Sequence, residues 1–228
     1  IDSEFAELAV DKCKERGLHA RTVSYYGFPI DTGSILALKL LNPDNRLPAI
    51  IVSSNMYANR AETIVLGKSV RDAIDVSGKK AVVVVVSALS NRLHTVEIKP
   101  EDDKIHSLKD HEWNLKFLEY LDKGRLEDVS QLSRQFHEEA RVPKVVSFKP
   151  FWIMASMMGQ SNLYEGNILA YEPVWGTGSA VVTMTPAEDT AGDLEYDEDD
   201  PEFYKGDREV LDFYEQPEMG PLEGEDGD

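Results

Sequence analysis

Cysteine is nearly absent from this chain: Cys13 is the only one among 228 residues. A lone thiol excludes an intramolecular disulfide framework and any zinc site built on paired cysteines. Histidine is scarce as well, five in all, and no Ser-His-Asp set, Walker loop or zinc-type spacing is present. Long apolar runs are also missing. The longest, residues 81–86 and 151–155, are far too short to cross a bilayer. No charged-then-apolar signal segment opens the chain, whose first residue is Ile1. The expectation is a soluble intracellular protein without a membrane span, in the cytoplasm or inside an organelle such as a plastid or mitochondrion.

Basic residues are deficient in one place only. The formal net charge is −18, and residues 187–228 hold 18 acidic side chains against Lys205 and Arg208, a net of −16. The other 186 residues are close to balance at −2. The acidity therefore belongs to a C-terminal tail, and its sign argues against direct contact with nucleic acid or anionic membranes. Residues 1–186 are read as one α/β domain and 187–228 as an extended acidic tail.

What is present centres on Val82-Val83-Val84-Val85-Val86, followed by the small polar turn Ser87-Ala88-Leu89-Ser90-Asn91. Five consecutive valines predict a strand apolar on both faces, as in the middle of a parallel sheet covered by helices. At the carboxyl end of such a strand, ligands and catalytic groups usually stand. Ala49-Ile50-Ile51-Val52 is a second strand of the same kind, and residues 19–24 alternate weakly enough to suit a third. Helices are predicted over 2–16, stopped by Gly17, over 34–41 with Ile35, Leu38 and Leu41 on one face, and over 61–74. Asp31 or Thr32 is placed to cap the second of these. The alternating order implies right-handed crossovers and a mostly parallel central sheet with helices on both faces. Pro100 opens a helix carrying Trp113, Phe117, Tyr120 and Leu121 up to Gly124, and 126–140 and 148–158 are two more. Residues 167–174 and 179–185 read as closing strands around Gly176-Thr177-Gly178.

Few side chains suit catalysis. Asn91 crowns the valine strand, but an amide has no proton to exchange near neutral pH. His94, three residues on, is the secondary candidate, although that offset usually leaves the site. His106 and His111 are five apart, which misses the i, i+4 spacing of paired helical ligands. His137, beside Glu138 and Glu139, reads as a solvated face, and Cys13 as an inert core thiol. Gly176-Thr177-Gly178-Ser179 precedes a strand and not a helix, so it offers no helix-terminus anion site.

Several segments together resemble the class III extradiol ring-cleavage dioxygenases of the subunit-B type. They are Phe28-Pro29-Ile30-Asp31-Thr32-Gly33, Pro48-Ala49-Ile50-Ile51-Val52-Ser53, Leu66-Gly67-Lys68-Ser69, Trp113-Asn114, Gly124 and Gly176-Thr177-Gly178-Ser179-Ala180. The likeness covers about residues 18–186, and within the family it runs to a non-catalytic α-type subunit that partners a homologous catalytic chain. The resemblance implies Asp31, Thr32, Ser90 and Asn91 as pocket-lining residues. It also implies Fe(II) held by two histidines and a glutamate, with the histidines upstream of Ile1. Where the family has its glutamate this chain has Phe148-Lys149-Pro150, and where the acid–base histidine follows a serine it has Ser90-Asn91. The implied reading is a degenerate, non-catalytic structural subunit with no metal and no cofactor. Two alternatives stand beside it: the α subunit of an active ring-cleaving enzyme, or an Fe(II)-dependent dioxygenase whose histidine ligands precede Ile1. The expected partners are other protein subunits, a homologous catalytic chain among them. The tail, through Tyr196, Phe203, Tyr204, Leu211, Phe213 and Tyr214, is expected to dock on a basic surface.

Overall fold

The computed structural model describes residues 1–24, 27, 29–142, 148–158 and 164–187, without the side chains of residues 127, 130 and 131. The tail from residue 188, with its six aromatic and leucine candidates, lies outside the described residues, as do Tyr25, Tyr26 and Phe28.

Six helices and one hairpin make up the described fold: α1 (Ser3–Glu15), α2 (Thr32–Leu41), α3 (Arg60–Ser77), α4 (Leu108–Asp122), α5 (Leu126–Ala140), α6 (Lys149–Met157), β1 (Tyr164–Val174) and β2 (Thr177–Pro186). Local chemistry sets their ends. The Asp2 carboxylate accepts the Phe5 N–H at 3.1 Å to start α1, and Gly17, at φ +73°, follows its end. Asn59 and Glu62 form a reciprocal capping box at the start of α3, which stops at left-handed Gly78. The expected helix from Pro100 divides into a short 3₁₀ turn, Pro100–Asp102, and α4. Ser107 starts α4 by accepting the Asp110 N–H, so the cap lies seven residues beyond the proline.

Helix α3 packs against α1 on one side and α6 on the other, while α4 packs against α5 and the hairpin. Two apolar clusters result. The larger gathers Phe117, Phe136, Phe148, Phe151, Leu126 and Leu132, and the smaller joins Ala9, Val70 and Ala73 to Ile153 and Met157. Cys13 is buried as expected, and burial pushes its thiol pKa up, consistent with an inert core group. Gly67 sits where α3 and α6 touch. A Cβ there would collide with the Ser156 hydroxyl and the Ile153 carbonyl, which explains a glycine in mid-helix despite its low propensity.

The sheet departs most from expectation. Among the described residues the only ladder is the antiparallel hairpin β1–β2, paired from Tyr164↔Pro186 to Val174↔Thr177 with an irregularity between Ile168 and Ala170. Its turn is Trp175-Gly176, with φ +54° and +87°, the doubly left-handed kind that matches strand twist. That is one step earlier than the glycine junction read from the sequence. Residues 19–24, 49–52 and 82–86 form no ladder, so a parallel sheet is not seen in the described chain. Val83 and Val85 pack on the helices, but Val82, Val84 and Val86 are 88%, 48% and 51% exposed. Valine content sets an extended backbone, but a ladder needs a neighbour at hydrogen-bonding distance. Helix α2 is capped by Asp31, as read, yet buries no residue, and Ile35 and Leu41 lie exposed in place of an inward face.

Candidate functional site

The turn at the end of the valine segment is a built structure. Leu89 donates its N–H to the Gly178 carbonyl at 3.0 Å, and Gly178 donates back to the Ser90 carbonyl at 3.1 Å. Asn114 of α4 reads the same turn with its whole amide. Its Oδ1 accepts the Ser90 N–H at 2.8 Å, and its Nδ2 donates to Ser90 Oγ at 2.9 Å and to the Tyr171 hydroxyl at 3.0 Å. Gly178 lies so close to Asn114 that a Cβ there would strike the amide. Tyr171 also meets His111 Nδ1 at 3.0 Å, with the two rings stacked at 5.8 Å. Burial raises the pKa of the Tyr171 phenol, against the opposing hydrogen bond from Asn114. One buried asparagine therefore ties α4, the Ser90 turn and both hairpin strands together.

Asn91 stands beside this hub with 9% of its surface exposed. Its Oδ1 accepts the Val142 N–H at 2.6 Å, just past the end of α5, while its Nδ2 is buried without a partner among the described residues. Arg141 packs next to it. The guanidinium donates to the Ala88 and Leu89 carbonyls and lies 4.2 Å from the centre of the Phe148 ring. Burial brings its pKa down to about 10, so it keeps its charge at neutral pH. Arg92 pairs at 3.0 Å with the fully buried Asp110 of α4.

Lys149 is 5% exposed, and its Nζ donates to the carbonyls of Asn55 and Met56, fastening the start of α6 to the loop after residues 49–52. Burial lowers its pKa, and the charge of Glu62 opposes that shift. The bonds to two carbonyl oxygens use the ammonium as a donor, so the position carries a cation held in place by backbone.

The other candidates scatter. His94 Nε2 faces the Lys104 carbonyl at 2.9 Å, its ring stacks on His106 at 5.7 Å, and Asp103 lies 3.7 Å away. The Asp103 carboxylate accepts the N–H groups of Trp175 (2.5 Å) and Gly176 (3.0 Å), so this cluster clamps the hairpin turn. His106 and His111 turn to different partners. Asp31 accepts from the Ser34 hydroxyl and N–H, which hold its carboxyl below the usual range. No hydrogen bond links Asp31 or Thr32 to Ser90 or Asn91. The α2 start does approach the valines: a Cβ on Gly33 would lie 2.8 Å from Val86 Cγ1.

Among the described residues, no group of three or more His, Cys, Asp or Glu side chains is arranged to hold a metal ion. At the two positions the sequence singled out stand an engaged amide and an ammonium, and an ammonium has no lone pair with which to ligate a metal ion. No described helix is long and apolar enough to cross a membrane.

His137 corrects its own reading as a solvated face. It is half-buried, its Nδ1 has no partner among the described residues, and burial with the Arg141 charge lowers its pKa. The unfolded chain therefore takes up a proton first as pH falls. Stability is expected to drop as pH passes below about 6.5 and to level off beneath the folded-state pKa. Urea midpoints between pH 7.5 and 5 check this, and His137→Gln should flatten that segment of the profile.

Sequence reasoning passed over the roles of Asn114, Arg141 and Lys149. The Trp113-Asn114 pair was visible as part of a pattern. The two cations carried no local signal, because their partners are backbone carbonyls 52 and 94 residues away.

Helices, a closing hairpin and a polar turn at the end of an apolar extended segment make up a mixed helix-and-strand domain. The chain matches the family described as the catalytic LigB subunit of aromatic ring-opening dioxygenase over residues 1–183, and it belongs to that family. Similar curated proteins include the 2-aminophenol 1,6-dioxygenase alpha subunit of a Pseudomonas species, 29% identical over 187 residues, covering 81% of this chain and 67% of that protein. The beta subunit of 2-aminophenol 1,6-dioxygenase, also from a Pseudomonas species, is 34% identical over 193 residues, covering 80% of this chain and 62% of its own. The chain thus spans about two thirds of the length of these relatives. Identity to the alpha subunit does not exceed that to the beta subunit.

Proposed function

We propose that this chain is a non-catalytic, structural subunit of a larger protein complex, built on a LigB-type domain whose catalytic positions have passed to structural duty. The observation that carries this is the state of Asn91 and Lys149. The Asn91 carbonyl is bonded to the Val142 N–H, and the Lys149 ammonium is clasped by Asn55 and Met56. By resemblance these positions would supply an acid–base histidine and a metal-binding glutamate. General acid–base help is worth roughly two to four orders of magnitude in rate, so loss of that group together with a ligand argues against turnover.

Both curated relatives are named as subunits of one enzyme, which favours a homologous chain as partner. The proposal includes residues 1–186 as one domain and the acidic segment 187–228 as the part that docks on a basic partner surface. It also includes residues 19–24, 49–52 and 82–86 as strands of a mostly parallel sheet. The strand–helix–strand order and the inward packing of Val83 and Val85 support that reading.

The test is metal analysis and a ring-cleavage assay on the full-length protein supplied with Fe(II), using catechol and 2-aminophenol. Iron well below one equivalent and no cleavage are expected. Stoichiometric iron with turnover would establish instead an active enzyme whose remaining ligands lie outside these residues. Asn91→His alone should remain inactive, because Lys149 still stands where a carboxylate is required, and cleavage by that variant would overturn the assignment of positions. Truncation after Pro186 should abolish co-purification with the partner chain, whereas unchanged association would remove the tail from the proposal.

A further inference from the structure

Helix α2 ends in an apolar patch that faces water. Leu40 and Leu41 are 76% and 66% exposed, and Leu47, in the turn that follows, is 67% exposed. Asn42 holds that turn against the helix end: its side chain accepts the Leu47 N–H at 3.1 Å and donates to the Leu47 carbonyl at 2.7 Å. The same turn is fastened to the lysines that follow α3. Asp2 donates its N–H to the Ala49 carbonyl at 3.2 Å, and its carboxylate takes the Lys79 ammonium at 2.5 Å. Three exposed leucines therefore stand within a basic rim of Lys39, Arg46, Lys79 and Lys80. Contiguous apolar surface of this kind is rarely left to water.

The sign of that rim is an exception in this chain. Residues 32–49 and 78–81 carry four basic side chains and one acidic, a net of +3 within a chain of −18. Asp44 pairs with Arg46 and Asp2 with Lys79, but Lys39 and Lys80 have no carboxylate at ion-pair distance among the described residues. The complementary sequence lies in the same polypeptide. Glu209-Val210-Leu211-Asp212-Phe213-Tyr214-Glu215 sets four apolar side chains among three carboxylates. The chain also leaves the hairpin on the side the patch requires. Pro186 ends β2 opposite Tyr164, Tyr164 meets Arg71 of α3, and α3 runs on to Gly78 and the rim lysines. The 22 residues between Pro186 and Glu209 can span roughly 70 Å when extended, so reach is met.

We infer that residues 209–215 dock on the α2 patch of their own chain, apolar side chains against Leu40, Leu41 and Leu47 and carboxylates against Lys39 and Lys80. A segment tethered to its site acts at an effective concentration of order 1 mM, so this contact wins over a second copy when the protein is micromolar. Both halves of the match are needed, because exposed ion pairs alone contribute little. The inference rests on reading 187–228 as a docking segment and goes beyond it, giving that segment a resting place which a basic partner must displace.

The experiment treats the full-length protein, at micromolar concentration, with a zero-length carbodiimide that couples carboxylates to lysines. The monomer band is then digested and its linked peptides are identified by mass spectrometry. Links from Lys39 or Lys80 to Glu209, Asp212 or Glu215 are expected. Their yield should fall at least about 5-fold in ~0.5 M salt, which screens the rim, and in Leu40→Ser, which keeps both lysines and alters only an exposed side chain. Lys39→Glu/Lys80→Glu combined with Glu209→Lys/Asp212→Lys should restore links of reversed polarity. Links confined to a dimer band overturn the own-chain contact in favour of a second copy. Yields unchanged by salt and by Leu40→Ser overturn it as unspecific coupling. Absence of these links, while truncation after Pro186 still abolishes co-purification, overturns this contact and leaves docking on the partner standing.

Discussion

Replacing Asn114 by alanine is expected to lower the unfolding free energy by about 3–5 kcal/mol, a large share of the ~5–15 kcal/mol typical of a domain. The side chain is fully buried and makes three hydrogen bonds, two to Ser90 and one to Tyr171. Alanine leaves the Ser90 N–H without its protein partner, at a cost of roughly 1–3 kcal/mol, removes one of the two hydrogen bonds of the Tyr171 hydroxyl, and opens a small cavity. The effect has a location as well as a size. With the hub gone, exchange at the Ser90-Asn91 turn should accelerate more than exchange in α1, which shares none of these bonds. Tyr171→Phe removes one bond and should cost only about 1 kcal/mol. Urea denaturation with exchange mapping measures both, and a loss below ~1 kcal/mol for Asn114→Ala would show that the turn is held by its backbone pairing with Gly178 alone.

Phe117→Ala should be comparably severe, at about 3–5 kcal/mol, or a fall in Tm of order 10 °C for a chain of this size. The ring is fully buried, with Phe136, Phe148 and Phe151 at centroid distances of 4.9, 5.5 and 5.1 Å. Those partners belong to α5, to the residue before α6 and to α6 itself, so the vacancy would fall where three elements meet. Phe117→Leu keeps most of the volume and should cost about 1–2 kcal/mol less than alanine. Differential scanning calorimetry of the pair separates lost volume from lost ring–ring geometry. Equal destabilisation by both variants would assign the effect to aromatic contact and not to packing.

Where partners were local, the sequence was informative. Asp31 capping α2, Gly17 ending α1, and the inward faces of α4, α5 and α6 all depend on side chains within a turn or two of their own backbone. The hairpin was also legible, because Trp175-Gly176 brings its two strands together with almost no intervening chain. The candidate site was legible as an address and not as an arrangement. Ser90 and Asn91 were picked out at the end of an apolar segment, but nothing nearby in sequence announces that Asn114, 24 residues on, holds the first or that Val142 binds the second. His94 lies near Asn91 in sequence but has partners of its own. Its nearness in sequence to Asn91 counts for little, since its hydrogen bonds and ring stacking tie it to the loop that grips the hairpin turn.

The sequence by itself determined the family, through the match over residues 1–183, the places of the helices, the Asp31 cap of α2, the lone Cys13, and the residue types at Asn91 and Lys149. The helices and the cap follow from period and residue identity, which survive without coordinates. Tertiary structure decided what the valine run and the two cations do. A strand becomes part of a sheet only when another backbone lies within hydrogen-bonding distance, and five valines cannot specify that neighbour. A buried arginine or lysine is stable only when distant carbonyls converge on it, as Ala88 and Leu89 do for Arg141 and Asn55 and Met56 do for Lys149. Both are long-range facts, set by how the helices pack and absent from any local stretch of residues.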